Sequence, residues 1–145
     1  MLDIANPALE LAIVTNRPEE MLRFYRDVLG LRYQMRIDFP SPTGNQDLGV
    51  PPGFQHRLMA GGMLIKLIHC PGAGIRQSPE ERAYARTGLR FVTVVVHNLT
   101  GAVDACRAGG GRVLHEPSCF EGAVHYAFVA DPDGNEIELV GILEE

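Results

Sequence analysis

Apolar residues at Met21, Leu22, Tyr25, Val28 and Leu29 recur three and four positions apart, which predicts an amphipathic helix over 18–29. Pro18 falls in its first turn and Gly30 just past its end, and Glu19 and Glu20 sit where the helix dipole favours anions. A weaker pattern predicts a second helix over 99–108, stopped by Gly109-Gly110-Gly111. Short apolar or alternating runs predict strands at 11–14, 33–39, 56–60, 63–69, 92–96, 112–116, 123–130 and 136–140, with a hairpin about Gly61-Gly62. Between them lie a Pro/Gly-rich loop, 40–53, expected to be a mobile lid over a binding site, and a segment, 79–86, expected to hold a turn or two of helix.

The pattern repeats. Gly134-Asn-Glu-Ile-Glu138-Leu-Val140 echoes Gly62-Met-Leu-Ile-Lys66-Leu-Ile68, and a shift of 81 residues pairs Leu22 with Val103 and Gly30 with Gly111. Each half therefore reads as strand, helix and three strands. The expected organisation is α+β: two βαβββ modules, 1–69 and 89–145, joined by a linker, 70–88, with each module's helix on the outer face of a curved mixed sheet.

Composition narrows the functions this chain can carry. With 46 % hydrophobic and 21 % charged residues, 145 residues suffice for a full core. The net charge is −5 and no Lys/Arg cluster occurs, which argues against nucleic acid and anionic membranes as partners. The opening MLDIANPALE has no basic segment followed by an apolar run, and no run approaches a bilayer span, so a cytoplasmic protein without a leader is expected. Cys70, Cys106 and Cys119 are odd in number and lack CxxC spacing, which reads as free, buried thiols in a reducing compartment. No glycine-rich phosphate loop follows a strand.

The paired modules, the stretch Arg23-Phe24-Tyr25-Arg26-Asp27-Val28-Leu29-Gly30 and the terminal Asp131-Pro132-Asp133-Gly134-Asn135-Glu136-Ile137-Glu138-Leu139 resemble the vicinal oxygen chelate superfamily. That superfamily includes glyoxalase I, extradiol dioxygenases, methylmalonyl-CoA epimerase, fosfomycin-resistance enzymes and bleomycin-binding proteins. The resemblance covers nearly the whole chain. It implies two curved sheets enclosing a cavity, a homodimer, and four inward strand positions that in most of the enzymes hold a divalent metal.

Through the repeat, those four positions fall on Glu10, Lys66, Phe91 and Glu138. An ammonium offers a metal no lone pair and a phenyl ring offers none either, so two carboxylates remain, few for a tight divalent site. The resemblance thus points to a metal-independent protein that binds a hydrophobic or aromatic small molecule, in resistance or sequestration. Lys66 then neutralises Glu10 and Glu138 in a buried cluster whose disruption is strongly destabilising. The alternative is an enzyme of the glyoxalase or dioxygenase type (a lyase, isomerase or dioxygenase). It would use Glu10, Lys66 and Glu138 as acid and base, or Glu10 and Glu138 as the remnant of a Zn, Ni, Mn or Fe site; a shifted set could draw on His56 or His125. His69, His97 and His115 are placed at strand ends. Alternation sets Ala12 and Val14 beside Glu10, Leu64 and Ile68 beside Lys66, Thr93 and Val95 beside Phe91, and Glu136 and Val140 beside Glu138. Phe128 stands where several metalloenzymes of the superfamily carry a tyrosine. Phe91, Thr93, Phe128, Leu64 and Ile68 are the expected ligand contacts. Tyr126, like Phe128, also fits a core role.

Overall fold

A computed structural model describes residues 1–5, 8–39, 51–78, 81–122 and 124–141. The chain divides into two compact units, Met1–Arg76 and Gln77–Glu145. The division falls inside the expected linker, whose second half belongs to the second unit.

The first unit carries strand β1 (Glu10–Val14), helix α1 (Pro18–Arg23), and strands β2 (Arg32–Phe39), β3 (Gly53–Ala60) and β4 (Met63–His69). They form one sheet in the order β1-β4-β3-β2. β1 runs parallel to β4, with Ala12 opposite Lys66, while β3 is antiparallel to β4 and to β2. Met21, Phe24 and Tyr25 bury completely or nearly so, with Leu58 and Leu67 completing the core. The expected helix over 18–29 differs in one respect: beyond Arg23 it widens into a π turn, Phe24–Val28. The Leu29 N–H reaches back five residues to the Phe24 carbonyl at 3.0 Å. The wider turn lets two adjacent rings, Phe24 and Tyr25, enter the core together, edge to face at 5.7 Å. Gly53 opens β3 against the β4 end, where an added Cβ would stand 2.1 Å from the His69 carbonyl oxygen, so only glycine fits. Most of the expected lid, residues 40–50, lies outside the described residues.

The second unit repeats the plan. A single 3-10 turn, Ala83–Ala85, stands where a helical turn was expected and precedes strand β5 (Phe91–Val96), helix α2 (Leu99–Ala108), and strands β6 (Arg112–Phe120), β7 (Val124–Ala130) and β8 (Glu136–Gly141). The sheet order is β5-β8-β7-β6, with β5 parallel to β8. Asn98 caps α2 by accepting the Gly101 N–H at 2.9 Å. Val103 and Cys106 pack onto Ala127, Val129, Ile137 and Leu139, all essentially buried.

Strand β6 runs four residues past the Glu116 end that the sequence suggests. Pro117 reads as a breaker, but β6 is an edge strand and its pairing with β7 shifts register between His115 and Ser118, where a missing N–H costs no ladder bond. The extension leaves Cys119 exposed, against the expectation of a buried thiol, while Cys70 and Cys106 are buried and all three are free. No helix among the described residues is long and apolar enough to cross a membrane.

Candidate functional site

The face of the second sheet opposite α2 is built from alternate residues of three strands. Register sets Phe91 opposite Glu136, Thr93 opposite Glu138, and Phe128 opposite Glu138 on its other side. The Thr93 hydroxyl donates to Glu138 Oε2 at 2.6 Å and fixes one oxygen of that carboxylate. Aromatic rings run continuously across this face. Tyr84 meets Phe91 at 5.9 Å, Phe91 meets Phe128 edge-on at 5.7 Å, and Phe128 meets Tyr126 at 6.3 Å. Tyr126 stacks on His115 at 5.4 Å. A cavity of about 480 Å³ opens over this string, lined by Tyr84, His115, Phe120, Val124, Tyr126 and Phe128 with two charged groups, Arg82 and Glu138. Its size suits a one- or two-ring organic molecule, and such sites are typically apolar with a few placed polar groups.

Of the residues the sequence singled out, Glu138 and Phe128 line this cavity, Thr93 supports Glu138, and Phe91 packs its ring against two others. Tyr126 faces the cavity. His115 also belongs there rather than at a strand end, because β6 continues beyond it. Arg82 and Tyr84 were not anticipated, since nothing in a Pro/Glu/Arg-rich linker signals a side chain that folds back onto a sheet.

What holds Arg82 is Glu136. This carboxylate is almost completely buried on β8, and its Oε1 accepts from Arg82 Nε at 2.9 Å and from the Ala83 N–H at 2.7 Å. Arg90 Nε pins the same turn by donating to the Ala83 carbonyl at 3.0 Å. Glu136 Oε2 is buried with no hydrogen-bond partner among the described residues.

The remaining expected site residues stand on the first unit's sheet. Lys66 pairs closely with Glu10, and Arg57 Nη2 lies 3.7 Å from the same carboxylate. Lys66 hydrogen-bonds the Glu10 carboxyl and holds it below the usual carboxylate range, with the Lys66 and Arg57 charges adding to the effect against some desolvation. Leu64 is buried and Ile68 half-buried on the same strand as Lys66. The expectation of a buried charge cluster needs correcting for this pair: the Lys66 and Glu10 side chains are 27 % and 44 % exposed. Both side chains keep solvent access, and Arg57 would remain beside Glu10 if Lys66 were lost. Lys66→Met is therefore expected to melt close to wild type between mild acid and neutral pH, as exposed pairs contribute little; a large drop in Tm in thermal unfolding would contradict this.

His56 and His125, considered above for a shifted metal set, each lie on the helix-bearing side of their own sheet. His56 is buried, with its Nδ1 3.2 Å from the Tyr33 hydroxyl and its Nε2 3.9 Å from Glu19 of α1. Burial pushes its pKa below the ordinary histidine value, against the pull of Glu19. His125 alternates with the cavity residues Val124 and Tyr126 and packs by Gly141 near Leu99 of α2. Among the described residues no group of three or more His, Cys, Asp or Glu could hold a metal ion. The chemistry of the family's four positions does not fit one either, since Phe91 has no donor atom and the Lys66 ammonium is paired with Glu10.

A sheet of this topology in each unit, with a ligand-sized cavity on the face away from the helix, defines a class, and comparison with known proteins agrees. The chain belongs to the Glyoxalase/Bleomycin resistance protein/Dioxygenase superfamily, whose family model matches residues 8–139. A probable lactoylglutathione lyase of Synechocystis sp. is 30 % identical over 124 residues, covering 84 % of this chain and 85 % of that protein. A chloroplastic probable lactoylglutathione lyase of Arabidopsis thaliana is 26 % identical over 84 % of this chain but only 32 % of its own length. Among solved structures, a glyoxalase family protein from Bacillus cereus superposes with a TM-score of 0.84 at 14 % identity, covering 99 % of this chain and 97 % of that one. Glyoxalase I of Leishmania major superposes with a TM-score of 0.67 at 18 % identity, covering 94 % and 87 %. At these identities the structural likeness speaks for the fold alone.

Proposed function

We propose that this protein binds a hydrophobic or aromatic small molecule in the cavity of its second unit and does so without a metal ion. The observation that carries this reading is the unbroken string of rings from Tyr84 to His115 along the cavity floor. Rings set alternately face and edge along the wall can take an aromatic partner in stacked or edge-to-face contact. The substitution of Phe91 and Lys66 at positions where a metalloenzyme needs donors supports the metal-independent part. A cytoplasmic homodimer that sequesters its ligand completes the reading.

The second reading is an enzyme, favoured by the names of the relatives, which are probable lactoylglutathione lyases. In that reading Glu138, oriented by the Thr93 hydroxyl, is the group best placed to exchange a proton with a bound substrate. One experiment separates the two. Purified protein is soaked in turn with Zn, Ni, Mn and Fe(II), its metal content is measured, and each form is assayed for formation of lactoylglutathione. The expected result is metal well below one ion per chain and no turnover. Stoichiometric metal together with turnover would replace the binding reading by the enzymatic one.

A further inference from the structure

The buried Glu136 has no place in the reading above, and it is costly. An apolar residue at that position would suit the surrounding face, with Phe91 and Ala130 as its cross-strand neighbours. A carboxylate there loses its hydration, and its only cationic partner among the described residues is Arg82, whose side chain is 53 % exposed while that of Glu136 is 4 % exposed. Buried ion pairs of this sort are poor sources of stability. What this one does supply is position. Glu136 engages Arg82 through Nε alone, and the Ala83 N–H and Arg90 fix the backbone on which Arg82 is carried. The two terminal amino groups of Arg82 have no hydrogen-bond partner among the described residues, and the guanidinium lies over the Phe128 ring, 5.9 Å from its centroid, on the wall of the cavity.

We propose that Arg82 is an anion-binding residue and that the ligand class is an aromatic acid: its ring packs face-on against one of the Tyr126 and Phe128 rings, which stand 76° apart, and edge-on against the other, and its carboxylate takes the free edge of the Arg82 guanidinium. Glu136 is the positioning residue that holds this edge toward the cavity. The proposal deepens the binding reading and rests on it. A guanidinium edge with two parallel N–H groups matches a carboxylate in geometry and charge, and an arginine already immobilised by a buried partner loses little further side-chain entropy on binding. Glu138, the other charge in the cavity, sets the ligand's direction. Its carboxylate repels an anion, so the acid group lies at the Arg82 end and the ring edge or a hydrogen-bond donor lies toward Glu138.

The test is isothermal titration of the full chain with three probes of one shape: naphthoate, the neutral naphthamide, and the cation naphthylmethylammonium. Naphthoate is expected to bind on the order of tenfold more tightly than naphthamide, the scale of one charge-assisted contact, and the cation no better than the amide. The double variant Arg82→Gln/Glu136→Gln keeps a neutral hydrogen-bonded pair in place of the ionic one, so folding is preserved, and it should bind naphthoate and naphthamide alike. Glu136→Leu should lower the naphthoate-to-naphthamide ratio without weakening naphthamide, whereas Glu136→Gln, which keeps the acceptor oxygen, should retain the ratio. Glu138→Gln should tighten naphthoate several-fold. Equal binding of naphthoate and naphthamide by the wild type, a preference for the cation, or a preference for naphthoate that survives in the double variant would each overturn the assignment of Arg82 while leaving the binding reading intact. Failure of all three probes to bind would overturn the binding reading and this inference with it.

Discussion

Asp131→Ala is expected to lower the stability of the protein by about 3 kcal/mol, the scale of several lost hydrogen bonds to one buried charged acceptor, and to lower Tm by about 10 °C for a chain of this size. The reason is how much of the β7–β8 connection hangs on one side chain. Asp131 is buried, and its Oδ1 accepts the N–H groups of Asp133 at 3.0 Å and Asn135 at 2.9 Å while Oδ2 accepts the Asn135 side-chain amide at 2.8 Å. Its own N–H donates to the Asn135 carbonyl at 3.0 Å, closing the turn on itself. Gly134 occupies a left-handed conformation, φ 92°, which a residue with a Cβ adopts only under strain. Alanine at 131 would strand two backbone donors and release the loop that sets the register of β8, and therefore the placement of both Glu136 and Glu138. Asp131→Asn keeps one acceptor oxygen and should lose about half as much. A thermal melt of Asp131→Ala within 2 °C or so of wild type would show that the turn is held by the flanking strands instead.

The second large effect concerns the ion pair at the wall of the cavity. Arg82→Met leaves Glu136 buried with the Ala83 N–H as its sole described donor, and is expected to cost about 2–3 kcal/mol, just below the usual cost of breaking a fully buried pair because Arg82 is half exposed. Removing both charges reverses the result. Arg82→Met/Glu136→Leu replaces the pair by apolar surface beside Phe91 and Phe128 and should melt near or above wild type, since such replacements are often neutral or stabilising. Chemical denaturation of the two single variants and the double gives the coupling directly. Additive losses, with the double variant the least stable of the three, would mean that Glu136 contributes through the Ala83 turn and not through Arg82.

These expectations join the fold to its use. A pair expected to be dispensable for stability when removed as a whole, yet costly to break, places a cationic group at the wall of a cavity whose floor is aromatic. The Lys66–Glu10 pair of the first unit contrasts with it: there Lys66 is half-buried and Glu10 exposed, a second cation stands by, and loss of one partner strands no buried charge.

Much of the architecture is legible in local pattern. The spacing of Met21, Leu22 and Tyr25 is enough for the first helix, the alternation in Glu136–Val140 for the last strand, and the echo of Lys66 in Glu138 for the duplicated module. The first two are signals contained in a few neighbouring residues, where side-chain periodicity and backbone geometry are tied together, and the third is a match between two such short segments. The same alternation puts Glu138, Thr93 and Phe128 on one face, and the structure gathers them there. Local pattern fails where the deciding partner is remote or where the context changes a residue's meaning. Pro117 reads as the end of a strand because its missing N–H matters in a ladder, and only its place on an edge strand makes it harmless. The charges on Glu10 and Lys66 suggest burial by position, but exposure is a property of what packs above them. Arg82 and Glu136 are 54 residues apart. No periodicity connects a linker arginine to a strand carboxylate. Their meeting depends on the 3-10 turn being pinned to the second sheet, and the charged wall of the cavity, unlike its aromatic floor, exists only once the chain has folded.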